Sequence, residues 1–267
     1  MSSQPFEHWL AQWALTPDGA AFTTHSGSRL LPVVWRGEPA ILKLAGHEEE
    51  RRGGALMEWY GGAGAARVLA RDGDAILLER LMGKRSLSDM ARSGQDDEAT
   101  RILCRTAMAL HAPRGQPAGL IPLEIWFRAL ETAAPRHGGT FATCARVARA
   151  LLADQREIVV LHGDLHHDNV LDGEARGWLA IDPKGLVGER GFDYANLFRN
   201  PDLATALAPG RMRQRLQLVD QEAGLDARRL LEWVVAYAGL GAAWSLEDGD
   251  DPTDGLAIAE QAVAQII

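Results

Sequence analysis

The stretch that decides the reading of this chain runs from Val159 to Asn196, VVLHGDLHHDNVLDGEARGWLAIDPKGLVGERGFDYAN. Two short apolar runs, Ile158–Leu161 and Trp178–Ile181, each lead straight into a polar cluster. The first cluster is His162-Gly163-Asp164-Leu165-His166-His167-Asp168-Asn169, and the second is Asp182-Pro183-Lys184-Gly185. Short apolar runs bounded by turn residues predict buried strands. Chemically capable side chains at strand ends predict a site held on a rigid frame.

Upstream, the chain reads first as strands and then as helices. A lead-in helix over Phe6–Leu15 ends at Thr16-Pro17-Asp18-Gly19, and strands follow at Ala21–Thr24, Leu30–Trp35 and Ala40–Leu44. The loop His25-Ser26-Gly27-Ser28-Arg29 is either a plain turn or a set of backbone N–H groups laid over a phosphate. Lys43 interrupts an apolar run, and a half-buried ammonium needs an anionic partner. The run Glu48-Glu49-Glu50 opens a helix, where carboxylates suit the macrodipole, and one of them can reach back to Lys43. A strand pair, Ala66–Leu69 and Ala75–Leu78, precedes Glu79-Arg80-Leu81-Met82-Gly83.

From there the periodicity is helical. Ser93 caps a helix over Gln95–His111, and Pro122 starts another through Ala134. Phe141, Cys144, Ala145, Ala148, Leu151 and Leu152 form an apolar stripe, and helices recur at Arg211–Ala223, Ala227–Trp244 and Pro252–Ile267. Strands followed by helices predict the α+β class, with a strand-rich lobe over residues 1–81 and a helical lobe over residues 82–267.

Composition narrows the partners. The 267 residues can bury a substantial core, and 28 basic against 36 acidic side chains give a net charge of −8. That balance argues against a basic nucleic-acid face and suits a cationic ligand. Cys104 and Cys144 sit among apolar neighbours, as reduced core thiols of a cytoplasmic protein do. No signal peptide is expected from the first residues. The longest apolar run, Trp233–Trp244, falls short of the roughly 20 residues that span a bilayer.

Three chemistries compete for the central stretch. Each histidine or aspartate taken singly is most simply a polar turn residue. A metallohydrolase needs histidines and carboxylates at short spacing, but the glutamate or cysteine partners of zinc helices are absent and Asn169 is a poor ligand for such metals. Phosphoryl transfer needs an aspartate, an asparagine five residues later, and an aspartate at the end of a second strand. Asp164, Asn169 and Asp182 meet that order, with Lys43 upstream on a strand.

These residues resemble the aminoglycoside phosphotransferases, in particular their streptomycin 6-kinase, hydroxyurea kinase-like branch. The resemblance extends to PAILKLA around Lys43, GGAGAARVL at Gly61–Leu69, SGQDDEATRILCRTAMALHAP at Ser93–Pro113, and RRLLEWVVAYAGLGAAWSLEDGD toward the C-terminus. It implies a protein-kinase-like bilobal fold with ATP in the cleft and Mg²⁺ beside it. By resemblance, Lys43 meets the nucleotide phosphates and Glu50, or else Glu49, is its helix partner. Ser26, Gly27 and Ser28 cover the phosphates, and Glu79, Arg80 and Leu81 form the hinge at the adenine. Asp164 orients the attacking hydroxyl, while Asn169 and Asp182 hold the metal.

His162 and His166 brace the loop rather than react. No activation loop follows Asp182-Pro183. The implied acceptor is streptomycin, phosphorylated at its 6-hydroxyl. Its guanidinium groups call for carboxylates and an aromatic face, for which Glu189, Asp193 and Trp244 are the candidates, with Asp248, Asp250 and Asp251 as an acidic rim. Another small hydroxylated amine, a sugar or a hydroxyurea-like substrate is the alternative acceptor, and a non-catalytic nucleotide-binding module the alternative class. A monomer with no nucleic-acid or membrane partner is expected.

Overall fold

Alternating burial along the strand that carries Lys43 sets the first layer. The structure, a computed structural model, describes residues 4–24 and 27–266. Strand Arg29–Trp35 pairs antiparallel with Glu38–Leu44 across the tight turn Arg36-Gly37, whose residues take φ of 54° and 86°. Such left-handed angles are what a two-residue hairpin loop demands. Glu38–Leu44 then pairs with Ala75–Glu79, which pairs with Val68–Asp72. Ala40, Leu42 and Leu44 face a small core with Phe6, Leu31, Val33 and Leu77. Because side chains alternate along a strand, Ile41 and Lys43 face the other way.

Helix Glu48–Tyr60 buries Glu50, Gly53, Leu56, Met57 and Tyr60. Its spacing of three and four residues makes one face. Leu56, Met57, Tyr60 and Ile76 join the larger core of the helical part rather than the small core under the sheet. The helix therefore packs toward both halves of the chain. That larger core is organised by Ala227–Asp248, buried almost all round from Leu230 to Ala243 and flanked by Gly139–Ala153 and Thr253–Ile266. Cys104 and Cys144 lie in it unpaired, and burial pushes both thiols up to about 12.

The central stretch folds differently from its simplest reading. Its two apolar runs are not partners: Ile158–Leu161 pairs with Leu186–Glu189, and Trp178–Ala180 pairs with Val170–Asp172. Each polar cluster thus connects a strand of one small sheet to a strand of the other. The two clusters meet where Lys184 N–H donates to the His162 carbonyl at 2.7 Å.

Three helix boundaries also shift. The lead-in helix is Glu7–Gln12, with Ala14 at φ 51° just beyond it. Ser86, not Ser93, accepts a capping bond, and it opens a short helix Leu87–Arg92 before Asp96–Leu110. Pro122 lies in a two-residue strand, and the helix expected from it is split at Phe127 into Leu123–Trp126 and Arg128–His137.

A buried ion pair ties these helices to the central stretch. Arg215 and Asp96 are 0% and 1% exposed, bonded Nε to Oδ2 at 3.0 Å and Nη2 to Oδ1 at 2.5 Å. Arg215 Nη1 also donates to the carbonyls of Leu197 and Asn200 at 2.6 and 2.8 Å. Arg211 Nη1 also lies 2.8 Å from Asp96 Oδ2, so Arg215→Leu leaves the buried carboxylate one of its two cations and is expected to lower unfolding free energy by up to about 3 kcal/mol. Urea titration checks this: the Asp96→Leu/Arg215→Leu double variant should lose less than the two single losses summed.

Candidate active site

Lys43 Nζ contacts two carboxylates at once, Glu50 Oε2 and Asp182 Oδ1. Its side chain is 12% exposed and that of Glu50 only 1%, so the pair is far from the screening that weakens surface ion pairs. Successive helix residues point about 100° apart, and the helix register gives Glu50 to Lys43. Glu49 turns instead toward Lys184, 3.5 Å from its ammonium. Gly53, one turn after Glu50, lets the helix close on the second cluster, because a Cβ there would overlap the Pro183 carbonyl oxygen. Asp182 takes φ 61°, a left-handed angle that aspartate adopts more readily than most residues. Burial would raise its carboxyl, but Lys43 and Lys184 outweigh burial and hold it below the usual carboxylate range.

The loop 162–169 is braced from behind. Asp193, 1% exposed, accepts from His162 N at 2.8 Å, from Gly163 N at 2.7 Å, and meets His111 Nε2 at 2.8 Å. Burial opposes its charge, yet His111, His162 and the Gly163 N–H keep it ionised. His162 Nδ1 accepts from Asp164 N at 3.2 Å, which assigns the proton to Nε2, 2.8 Å from the Ile181 carbonyl. Burial favours that neutral ring. His166 accepts from Asp168 N at 3.3 Å and starts the turn His167–Asn169.

In front, Asp164 Oδ1 accepts from Asn196 Nδ2 at 2.9 Å. Asn169 Nδ2 donates to the Asp164 carbonyl at 2.8 Å and to Oδ2 at 3.3 Å. With its amide nitrogen engaged, Asn169 offers its oxygen as a ligand. Together with the Asp182 carboxylate, it forms an oxygen pair suited to a hard cation. No group of three or more His, Cys, Asp or Glu placed to hold a metal occurs among the described residues.

Asn169 and Asp182 line a cleft of about 500 Å³ together with Lys43 and Glu50. Its walls include Leu30, Ile41, Ala66, Leu78, Leu171 and Ile181, and Glu79–Leu81 line it as well. That mixture of apolar walls and a few polar groups suits a flat ring system that carries charge. The hinge side chains serve as fasteners: Glu79 pairs with Arg176 and accepts from Arg67 N at 2.6 Å, and Arg80 pairs with Asp18 at 2.9 Å. Of the expected phosphate-covering residues, Ser26 lies outside the described residues. Ser28 is fully buried, its N–H bonded to Thr24 Oγ1 at 3.1 Å. Gly27 takes φ 83° and packs toward Gly46. Phe22 and Thr24 line the cleft in their place.

Two acceptor candidates are corrected. Glu189 is 3% exposed, and it accepts from Arg229 Nη2 at 2.6 Å, Trp233 Nε1 at 2.7 Å and Arg156 N at 2.9 Å. Its oxygens are fully engaged in holding strand Leu186–Glu189 to the long helix, as those of Asp193 are in holding the loop. Neither carboxylate is open to solvent. Trp244 is half-buried, with edge-on ring contacts to Trp126 and Tyr237 at 5.5 and 6.4 Å. Asp248, Asp250 and Asp251 are exposed beyond it. Sequence reasoning passed over Lys184 and Asn196. Lys184 carried a signal, a cation within the second polar cluster, whereas Asn196 closed the quoted stretch without one.

The fold is that of the protein-kinase-like phosphotransferases. A thermostable mutant of aminoglycoside phosphotransferase APH(4)-Ia, solved in a ternary complex with ADP and hygromycin B, superimposes over 98% of both chains with a TM-score of 0.72 at 14% identity. Within that class, a profile of the aminoglycoside/hydroxyurea antibiotic resistance kinase family matches residues 12–249, and this chain belongs to that family. It is 52% identical over 246 residues to a streptomycin 3''-kinase of Klebsiella pneumoniae, covering 90% of this chain and 92% of that one. It is 32% identical over 253 residues to a streptomycin 6-kinase of Streptomyces griseus, with 89% and 81% covered. A hydroxyurea phosphotransferase of Kitasatospora aureofaciens is 33% identical over 270 residues, with 96% and 75% covered.

His167 makes the site's acid sensitivity testable. It is 1% exposed, and neither ring nitrogen has a hydrogen-bond partner among the described residues. Burial first, and then Arg215, depress its pKa to about 3. The folded ring stays neutral while the unfolded one takes up a proton below about 6.5. Its share of stability is therefore complete above that pH and declines as pH falls toward 3. The slope approaches about 1.4 kcal/mol per pH unit for one proton. Urea unfolding at pH 7, 6 and 5 should show the decline, and His167→Gln should flatten it by about one proton.

Proposed function

We propose that this chain is an ATP- and magnesium-dependent streptomycin kinase acting on the 3''-hydroxyl. The observation that carries the reading is the 52% identity to a streptomycin 3''-kinase over 92% of its length, against 32% to a 6-kinase. That difference moves the acceptor away from the 6-hydroxyl named by the sequence resemblance. Catalysis in this class is mostly positioning and charge stabilisation.

The adenine occupies the cleft against the backbone of 79–81, and Lys43, kept in place by Glu50, meets the phosphates. Asn169 and Asp182 would hold a magnesium ion, which when bound would neutralise charge on the nucleotide phosphates. Asp164, fixed by Asn196 and Asn169, orients the acceptor hydroxyl. The hydroxyl oxygen forms the new bond to γ-phosphorus, the bond to the β-phosphate oxygen breaks, ADP leaves, and the hydroxyl proton passes to Asp164. A carboxylate is a weak base for an alcohol, so orientation is the larger part of its work.

On the acceptor side, we assign the guanidinium groups to the exposed Asp248, Asp250 and Asp251 and to the half-buried Trp244. This replaces the buried Glu189 and Asp193. No helix of the described residues is long and apolar enough to cross a membrane. An ATP-consuming enzyme of this kind is placed in the cytoplasm by its co-substrate, and we expect it to work as a monomer.

The test is ATP consumption with streptomycin, followed by phosphorus NMR and tandem mass spectrometry of the product. Phosphate on the 3''-hydroxyl is expected. Phosphate on the 6-hydroxyl would return the chain to the 6-kinase reading, and consumption only with hydroxyurea or another hydroxylated amine would replace streptomycin as substrate. Asp164→Ala should cut turnover by at least about 10³-fold while leaving ADP affinity nearly unchanged.

A further inference from the structure

Lys184 belongs to the second polar cluster, yet the kinase reading above gives it no role. Its ammonium lies 3.4 Å from Asp182 Oδ2, 3.5 Å from Glu49 Oε1 and 3.8 Å from Asp164 Oδ2. Charge-assisted N–H···O bonds are typically about 2.7–2.9 Å, so Lys184 is shared among three carboxylates and tightly bound to none. Lys43 differs, being in close contact with two. The backbone of Lys184, in contrast to its tip, is fixed. Its N–H donates to the His162 carbonyl at 2.7 Å, and its carbonyl accepts from Arg52 Nε at 3.1 Å. The catalytic loop holds it on one side and helix Glu48–Tyr60 on the other, and its side chain is only 13% exposed.

We propose that Lys184 is a second catalytic cation whose ammonium contacts the transferring γ-phosphoryl group between Asp164 and Asp182. The inference rests on the phosphotransferase reading, in which Asp164 holds the acceptor hydroxyl and Asp182 the metal. The phosphoryl group must pass between those two carboxylates, and Lys184 stands within 4 Å of both. In the transition state, charge is spread over the three equatorial phosphoryl oxygens. A fixed stem whose ammonium makes only long contacts can follow that charge without first breaking a short pair, which is what differential binding of the transition state requires. Between Asp164 and Asn169 stand Leu165, His166, His167 and Asp168, with no lysine or arginine among them. Lys184, 3.8 Å from Asp164 Oδ2, is the lysine or arginine paired with it among the described residues.

The test separates a catalytic cation from a scaffold. Lys184→Met is compared with wild type for kcat, for KM of ATP, and for affinity toward magnesium–ADP alone and magnesium–ADP–fluoroaluminate, both with streptomycin present. The inference predicts a kcat loss of about 10²–10³-fold and a similar loss of affinity for the fluoroaluminate complex. Magnesium–ADP affinity should stay within about threefold of wild type, and Lys184→Arg should recover part of kcat.

Equal losses for both complexes, or an unchanged kcat, would overturn it. If Lys184→Met melts early, Lys184→Arg and Lys184→Gln decide. Affinity losses that track melting temperature make Lys184 a scaffold, whereas selective loss of the fluoroaluminate complex at unchanged melting temperature supports catalysis. A wild type that transfers phosphate to no acceptor would fail the functional reading itself. An active wild type beside an equally active Lys184→Met fails this inference alone.

Discussion

The ammonium of Lys43 is the point on which the rest of the site depends. It is largely withdrawn from water and shared between Glu50 and Asp182. An unpaired ammonium in that place would cost several kcal/mol. Its two partners come from different parts of the chain, a helix from the strand-rich half and a turn between two small sheets of the helical half. Satisfying one charge therefore locates three elements relative to each other. Gly53 permits the contact, since any side chain there would collide with the Pro183 carbonyl and hold the helix away.

Behind this joint, the loop 162–169 is held by buried charge rather than by apolar packing alone. Asp193 gathers two consecutive backbone N–H groups and His111, while His162 spans to the strand leading into Asp182. A carboxylate buried this deeply is stable only with several donors, so the number of donors around Asp193 explains why its place is so restricted. The reactive side has fewer bonds. Asp164 takes two side-chain amides, Lys184 makes only long contacts, and the cleft lined by Asp182 and Asn169 is otherwise walled largely by apolar side chains. A rigid back and a loosely satisfied front are what a site needs if its ligands are to supply the missing partners.

What could be read in the sequence follows from range. Lys43, Asp164, Asn169 and Asp182 announce themselves because the chemistry fixes both residue type and short spacing, and strand periodicity places them at strand ends. Glu50 against Glu49 needed the helix register, which one residue of uncertainty leaves open. Glu189 and Asp193 looked like ligand carboxylates because their partners lie far off in sequence: Arg229 and Trp233 for one, His111 for the other. The same limit hid the pair Asp96–Arg215 and the true partner of strand Ile158–Leu161. Ser28 shows a third kind of miss. A loop position was legible, but which way its hydroxyl turns was not, and the structure buries it.

The most direct test of the account is a double-mutant cycle between Lys43 and Glu50, read as magnesium–ATP affinity and as kcat/KM. If Glu50 acts only by holding Lys43, then Lys43→Met, Glu50→Gln and the double variant should lose nearly the same amount, with a coupling energy above about 1 kcal/mol. Additive losses, with the double variant falling by the sum of the singles, would contradict the central claim that one shared ammonium organises this site.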